Sequence, residues 1–411
     1  MGGTKMSEWK RVKLGELCKR VTSGGTPKAN VHSFYNPPTI PWLKTKEVNY
    51  CRIYETENYI SEDGLNNSSA KLIEPNSVII AMYGQGDTAG RVAINKIPLT
   101  TNQACCNLTI DKEKANYEFV YYMLCTLYDK MVSLKSGAAQ PNLNAQIIKG
   151  LEVLLPSLPI QRRIAEILSR YDSLIENYQR QIKLLEEAAQ RLYKEWFVDL
   201  HFPGHETTPI IDGIPEGWEK KKIADVCDTI GGGTPSTKVA SYYEGGTINW
   251  VTPTDITRNF SIYLLNTEKK ITKEGLEHSS AKMLPPETIL MTSRASVGFF
   301  GLCDFEACTN QGFISCVPFR KNFQMYLLYN LMNRVDEIRL KAGGSTYLEI
   351  SKSVFRDFDI IYPEERLLAL FQTSAHRIID NIRVYVNQIR NLTEARDRLL
   401  PKFMNGEIEV S

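Results

Sequence analysis

Two stretches of this chain, 207 positions apart, carry the same heptad run of apolar residues, and that repetition restricts the fold more than any other feature. Alternate steps of four and three from Ile164 reach Leu168, Tyr171, Ile175, Tyr178, Ile182, Leu185, Ala189, Leu192 and Trp196 without meeting a polar residue. The second run is Phe371, Ala375, Ile378, Ile382, Tyr385, Ile389, Leu392, Arg396, Leu399 and Phe403, apolar apart from Arg396. Two helices of matched length, each with one apolar edge, are expected to pair as a coiled coil.

The duplication continues through the rest of the chain. Gly24-Gly25-Thr26-Pro27 recurs as Gly232-Gly233-Thr234-Pro235, and Ile40-Pro41-Trp42 as Ile248-Asn249-Trp250. Ser68-Ser69-Ala70-Lys71 matches Ser279-Ser280-Ala281-Lys282, and Thr101-Asn102-Gln103 matches Thr309-Asn310-Gln311. A repeat of about half the chain length outranks any single motif as a guide to architecture. The expected plan is a first globular domain over 1–156, a first long helix over 157–200, a linker and second globular domain over 201–362, and a second long helix with a tail over 363–411.

Inside each globular domain the pattern is mixed α/β (α+β). Val78 to Met82, Gly90 to Asn95 and Cys106 to Ile110 read as strands, and Tyr117 to Lys135 carries a helical period. Their counterparts are Thr288 to Ser293, Phe300 to Asp304, Gly312 to Pro318 and Met325 to Lys341. Small polar rows between them, such as Tyr83 to Thr88 and Ser136 to Asn142, suit binding loops on a rigid frame.

Composition removes several function classes. No apolar run approaches the roughly 18 residues needed to cross a bilayer, so no membrane role is expected. Nine cysteines without a Cys-x-x-Cys pair, and a start without a basic, apolar leader, point to a reducing, cytoplasmic location. The net charge is only +2, so nucleic-acid binding would have to come from local patches or a charged partner.

At about 1.5 Å per residue, a helix from Ile164 to Trp196 is a rod of roughly 48 Å. An antiparallel pair would place the two domains at opposite ends of it. A parallel pair would require the linker 198–217 to run back along the whole rod, against its Pro203-Gly204 and Ile214-Pro215-Glu216-Gly217 turns, so the antiparallel arrangement is expected. Two similar domains about one to one and a half turns of B-DNA apart match what a dimeric operator reader achieves with two half-sites.

The residues also resemble a known family, the specificity subunits of type I restriction-modification enzymes. The resemblance covers essentially the whole chain and is densest from Trp196-Phe197-Val198-Asp199-Leu200 through His201-Phe202-Pro203-Gly204-His205-Glu206 to Gly213-Ile214-Pro215-Glu216-Gly217-Trp218-Glu219. Leu155-Pro156 with Pro159 and Gln161 is similar to the family's lead-in to the first helix, and Tyr362-Pro363-Glu364-Glu365-Arg366 keeps part of that pattern. The resemblance implies a non-catalytic subunit with two target recognition domains, each reading one half of a bipartite site in double-stranded DNA. It also implies that the paired helices dock two adenine methyltransferase subunits, with restriction subunits joining that core. This chain would bind no cofactor; S-adenosylmethionine would be used by the methyltransferase partner, and ATP and Mg by the restriction partner. Arg162, Arg163, Arg180, Lys183 and Glu187 face away from the seam and suit such an interface, although solvated helix faces look the same.

Several stretches imitate catalytic motifs. Asn36-Pro37-Pro38-Thr39 resembles an adenine methyltransferase loop but lacks the stacking aromatic, and the second copy has Glu244-Gly245-Gly246-Thr247 there, so it reads as a turn. Gly84-x-Gly86 with Gly90 has the wrong spacing for a dinucleotide fingerprint and reads as a hairpin loop. Asp255 with Glu268-Lys269-Lys270 imitates a nuclease triplet that the first copy does not show. His201 and His205 are separated by Pro203-Gly204, which makes a loop with no third metal ligand.

Direct base readout uses Arg or Lys against guanine, Asn or Gln against adenine, and Ser or Thr more flexibly. The loop candidates in the first domain are Lys44, Thr45, Lys46, Gln85, Arg91, Gln140 and Asn142. In the second they are Thr252, Thr254, Arg258, Arg294, Ser345, Thr346 and Tyr347. Asn102-Gln103 and Asn310-Gln311 recur in both copies, which suits a shared structural or phosphate role better than the reading of different sequences. Two other function classes stay open on sequence grounds: a self-contained methyltransferase or nuclease with fused recognition domains, and a coiled-coil adaptor without DNA specificity.

Overall fold

The computed structural model of the chain describes residues 9–135, 142–344 and 347–410, so Gln140, Ser345 and Thr346 lie outside the described residues. The chain divides into two compact units, one of Met1–Ser173 with Leu392–Ser411 and one of Leu174–Asn391.

The first unit is built on a five-stranded sheet in the order Cys18–Ser23, Cys105–Ile110, Val78–Ala81, Val92–Asn95, Cys51–Ile53, antiparallel except for the last pair. Both faces of Val78–Ala81 and Val92–Asn95 are buried, which fits their apolar runs; the buried Asn95 that ends the second bonds the Glu74 and Ile97 carbonyls and the Ser77 nitrogen. A smaller sheet centres on Ile40–Leu43, antiparallel to Tyr59–Ile60 and parallel to Thr100–Thr101. Lys10–Lys13 pairs with Glu152–Leu155 and brings the chain to the first long helix.

The second unit repeats this plan. Its larger sheet runs Cys227–Gly231, Phe313–Pro318, Ile289–Thr292, Phe300–Gly301, and its smaller sheet has Ile248–Val251 between Lys269–Ile271 and Ala307–Thr309. Where the first unit has a fifth strand, only a single parallel bridge, Tyr263 to Leu302, remains among the described residues.

The helices after these sheets are each interrupted once. The expected run Tyr117 to Lys135 is two helices, Tyr117–Thr126 and Tyr128–Ser133, because Leu127 leaves the helical region at φ −104° and ψ 15°. Met325 to Lys341 likewise becomes Gln324–Asn333 and Val335–Lys341, broken at Arg334. Periodicity misses both breaks because the first half is buried on all sides, Phe119 to Leu124 without exception, and the second buries a single residue, Met131 or Ile338, so neither half carries a face whose phase would show the interruption.

Both long helices span 40 residues, Leu158–Phe197 and Glu365–Met404. Of the heptad positions, Ile164, Leu168, Ile175, Ile182, Ala189, Phe371, Ala375, Ile382, Ile389 and Phe403 are buried. Tyr171, Tyr178, Leu185, Leu192, Trp196, Ile378, Tyr385, Leu392, Arg396 and Leu399 are half-buried. Asp172, Tyr193, Ile379 and Val386 are buried instead of their heptad neighbours Tyr171, Leu192, Ile378 and Tyr385. The buried stripe Phe371, Ala375, Ile379, Ile382, Val386, Ile389 therefore follows the roughly 3.6-residue period of a straight helix, which drifts from a strict heptad by about 20° per seven residues.

The helices run in opposite directions in each unit. In the first, Ile164 and Leu168 near the start of one share a core with Leu399, Leu400 and Phe403 near the end of the other. In the second, Phe197 at the end of one lies edge-on to Phe371 near the start of the other, 5.0 Å between ring centroids, and Tyr178 stacks on Tyr385 at 5.1 Å.

Candidate nucleic-acid interface

The repeated motifs build one frame, twice. A Cβ on Gly24 would lie 2.1 Å from the Asn102 carbonyl oxygen, and one on Gly25 would lie 2.3 Å from the Ser69 carbonyl carbon. Only glycine lets the Gly-Gly step pass between the Thr101-Asn102 and Ser69-Ala70 backbones. Gly232 and Gly233 do the same, with a Cβ 2.2 Å from the Asn310 carbonyl oxygen and 2.4 Å from the Ala281 nitrogen. The indole of Trp42 donates to the Gly25 carbonyl at 3.1 Å and that of Trp250 to Gly233 at 3.0 Å. The phenols of Tyr35 and Tyr243 donate to the carbonyls of Pro27 and Pro235 at 2.7 and 2.6 Å. Finally, the Thr26 hydroxyl bonds the Gln103 side chain and Thr234 bonds Gln311.

A second shared device removes the nuclease resemblance. Asp255 accepts the Thr252 backbone N–H at 2.7 Å and the Glu268 backbone N–H at 2.8 Å, pinning the loop that follows the central strand. Glu47 holds the first unit in the same way, accepting from the nitrogens of Lys44 at 3.0 Å and Glu57 at 2.9 Å. The first copy does carry the acid, three residues past Lys44, and in both copies it is a loop clasp.

The loops on this frame differ. In the first unit, Lys44 reaches Asn58 at 2.9 Å and lies over the Trp42 ring, Thr45 begins a short turn, and Lys46 is paired with Glu57. The hairpin loop between Val78–Ala81 and Val92–Asn95 carries the exposed Gln85 at its tip. Arg91, at its base, bonds Asn49 at 2.9 Å and Asp87 at 2.7 Å, which ties this loop to the segment after Lys46. Leu143 donates to the Met82 carbonyl at 3.1 Å, so the half-buried Asn142 joins the same edge. Tyr50, in the left-handed region at φ 52°, sets its ring against Tyr128 beside Arg91. Tyr50 is not among the sequence candidates, because nothing in the Val48-Asn49-Tyr50 stretch marks its left-handed turn; burial raises its pKa to about 12.

In the second unit the same edge has other chemistry. Thr252 spends its hydroxyl on Asp255 at 2.7 Å, Thr254 lies in the short helix Pro253–Thr257, and Arg258 follows it, exposed. Arg294 is 3.5 Å from Glu349, and Ile350 donates to the Ser293 carbonyl at 3.0 Å, mirroring Leu143 and Met82. Tyr347 is exposed on that returning segment. Phe260 and Phe299, both exposed, rim a cavity of about 470 Å³ floored by Glu186, whose carboxylate accepts from the Ile262 nitrogen at 2.8 Å. Burial holds the Glu186 pKa above the usual carboxylate range.

The remaining imitations have local explanations. The glycines of the first hairpin supply its turn, with Gly86 at φ 62° and Gly90 at φ 95°. His205 points its Nδ1 at the Phe202 carbonyl, 2.9 Å away. Arg162, Arg163, Arg180, Lys183 and Glu187 are all exposed on the first long helix.

The comparisons with known proteins fall on the same two halves. The family model for the type I restriction modification DNA specificity domain matches residues 6–187 and again 215–394. The MjaIX type I restriction enzyme specificity subunit of Methanocaldococcus jannaschii is 27% identical, covering 98% of this chain and 94% of its own. The HindI specificity subunit of Haemophilus influenzae is 23% identical, covering 98% and 100%. The crystal structure of a type I restriction-modification system S subunit from M. genitalium superposes with a TM-score of 0.59 at 14% identity, over 96% of each chain, which shows a shared fold.

Proposed function

Because this chain belongs to the type I restriction-modification DNA specificity family, we propose that it reads an asymmetric, bipartite target in double-stranded DNA, one half-site per unit. It is the DNA-recognition component of such a system, not the catalytic one. The observation that carries the bipartite reading is the pairing of one frame with two loop sets. Both units repeat the Gly-Gly passage, the Trp-to-glycine bond and the acid clasp, while Arg91, Asn49 and Tyr50 in one give way to Arg258, Arg294 and Tyr347 in the other. A shared frame with unlike loops suits two unlike half-sites read in the same way.

Two similar helix lead-ins suit two copies of one partner, which we take to be an adenine methyltransferase subunit using S-adenosylmethionine. The exposed Arg162, Arg163, Arg180, Lys183 and Glu187 are available to that contact, and restriction subunits using ATP and Mg would complete the assembly in the cytoplasm. No helix among the described residues is long and apolar enough to cross a membrane. The chain itself is assigned no cofactor.

The test is reconstitution. Purified chain together with an adenine methyltransferase partner is expected to methylate duplex DNA at one sequence, and the chain alone to transfer nothing. Methyl transfer or cleavage by the chain alone would overturn the proposal in favour of a self-contained enzyme. Assembly that shifts all duplexes equally would favour an adaptor without specificity.

A further inference from the structure

Four exposed side chains recur at the same places in both units: Thr26, Ser69, Lys71 and Gln103 in the first, and Thr234, Ser280, Lys282 and Gln311 in the second. The Gly-Gly passage brings three of the segments together, since Gly24 lies against Thr101-Asn102 and Gly25 against Ser69-Ala70. The threonine hydroxyl bonds the glutamine Oε1 in each unit, which leaves the glutamine amide nitrogen with both N–H groups to give. Neither Lys71 nor Lys282 has an ion-pair partner among the described residues.

The threonine–glutamine bond belongs to the shared frame, but folding does not explain why the exposed Ser69 and Lys71 recur as Ser280 and Lys282, or why the glutamine presents its free amide to solvent. Exposed residues away from caps and cores contribute little to stability. The neighbouring exposed positions have drifted apart: Asn66-Asn67 precedes the motif in one unit and Glu277-His278 in the other. What persists is a set rich in donors, with an ammonium, an amide and a hydroxyl. A ligand feature common to two half-sites of different sequence must itself be independent of sequence. The phosphodiester backbone is such a feature; its oxygens only accept, and half or more of protein–DNA hydrogen bonds go to the backbone.

We propose that Lys71 with Gln103 and Ser69, and Lys282 with Gln311 and Ser280, form two equivalent phosphate clamps that set each unit's register on DNA without reading bases. This rests on the DNA reading above. It also separates these residues from the loops holding Arg91 and Arg258, where specificity would lie.

The test measures binding of the full chain to a random-sequence duplex of about 30 base pairs across a KCl series, because non-specific affinity is set by phosphate neutralisation. In Lys71→Gln with Lys282→Gln, the slope of log affinity against log salt is expected to become shallower by about 0.9 per lysine, about 1.8 in all, with the thermal midpoint unchanged. Gln103→Glu with Gln311→Glu keeps the acceptor for the threonine but replaces the donors with a negative charge, and is expected to weaken binding most at low salt. In both variants the identity of the methylated sequence is expected to stay the same. A slope equal to wild type, or a change in the bases recognised, would overturn the clamp. Wild-type chain that binds no duplex at any salt overturns the DNA reading itself, whereas wild-type binding with an unaltered slope in the lysine variant overturns the clamp alone.

Discussion

At the scale of single residues, the glycines of the two frames carry the sharpest stability expectation. Gly25→Ala or Gly233→Ala forces a methyl group onto backbone atoms 2.3 to 2.4 Å away, where neither neighbour can swing aside. Each is expected to cost on the order of 1–3 kcal/mol, the usual range for overpacking, read as a lower thermal midpoint. His376 offers a pH-dependent case within the second unit. Its Nε2 lies 3.1 Å from Glu287 and its Nδ1 3.2 Å from Asp380. Burial opposes its charge, but the two carboxylates outweigh that and raise its pKa above the ordinary histidine value. A raised folded-state pKa stabilises fully below the unfolded value near 6.5 and is lost as pH rises through the folded value. The thermal midpoint is therefore expected to fall between pH 6 and pH 8.5, and His376→Gln to remove that part of the dependence; equal midpoints in wild type would contradict it. At this scale the sequence exposed the motifs but not their jobs. Trp42, Gly25 and Ser69 are separated in the chain, and Asp255 reads in sequence only as an imitation of a nuclease acid, its clasp being set by backbone partners that no motif encodes. The base-reading candidates stayed least legible, because a loop lysine bonded to its neighbour, such as Lys46 with Glu57, looks the same in sequence as one left free.

At the scale of elements, the long helices were legible because their pattern repeats over many turns, and their exact seam was not. Counting strict heptads selected Ile378 and Tyr385, whereas the helix buries Ile379 and Val386, the small drift between 3.5 and 3.6 residues per turn being enough to move the stripe. Nor could counting show that the polar exception Arg396 has a purpose. In the first unit it pairs with the buried Asp172 at 2.6 Å, and Asp172 also holds Arg52 at 2.9 Å and accepts from Tyr122. Asp172 thus joins a strand, a sheet-packed helix and both long helices, through partners some 120 and 224 positions away in sequence. Asp172→Ala would take away the buried carboxylate that Arg52 and Arg396 share, while Glu118 at 3.6 Å and Asp397 at 2.8 Å still face them, and is expected to cost up to about 3–5 kcal/mol. Replacing Asp172, Arg52 and Arg396 together by apolar residues of similar size is expected to recover most of that loss, a contrast that denaturant unfolding of wild type and the two variants would read. Ile182→Asp or Ile389→Asp places an unpaired charge at a buried position of the second unit and is expected to abolish partner assembly as well as lower stability.

At the scale of the whole molecule, one chain supplies two versions of one recognition unit. The duplication is legible in the sequence, since a repeat of half the chain survives as spaced motifs even where the loops have changed. That the second unit has no fifth strand among the described residues is not legible in the sequence, because Tyr263 and Leu302 keep apolar character while making a single bridge there. If the helices determine the unread gap, removing one heptad from either helix alone should destroy activity. Removing matched heptads around Lys183–Glu187 and their counterparts 207 positions later should change the gap and leave both half-sites intact. An unchanged gap after matched removal would discard the ruler. The central claim, two half-sites read separately by two units, is tested most directly by mapping modified adenines in DNA from cells carrying this chain with the proposed methyltransferase partner, for wild type and for Arg258→Ala. The expected result is a two-part motif in wild type, and in the variant a relaxation or loss confined to one part. A single uninterrupted motif, or a variant that alters both parts together, would contradict it.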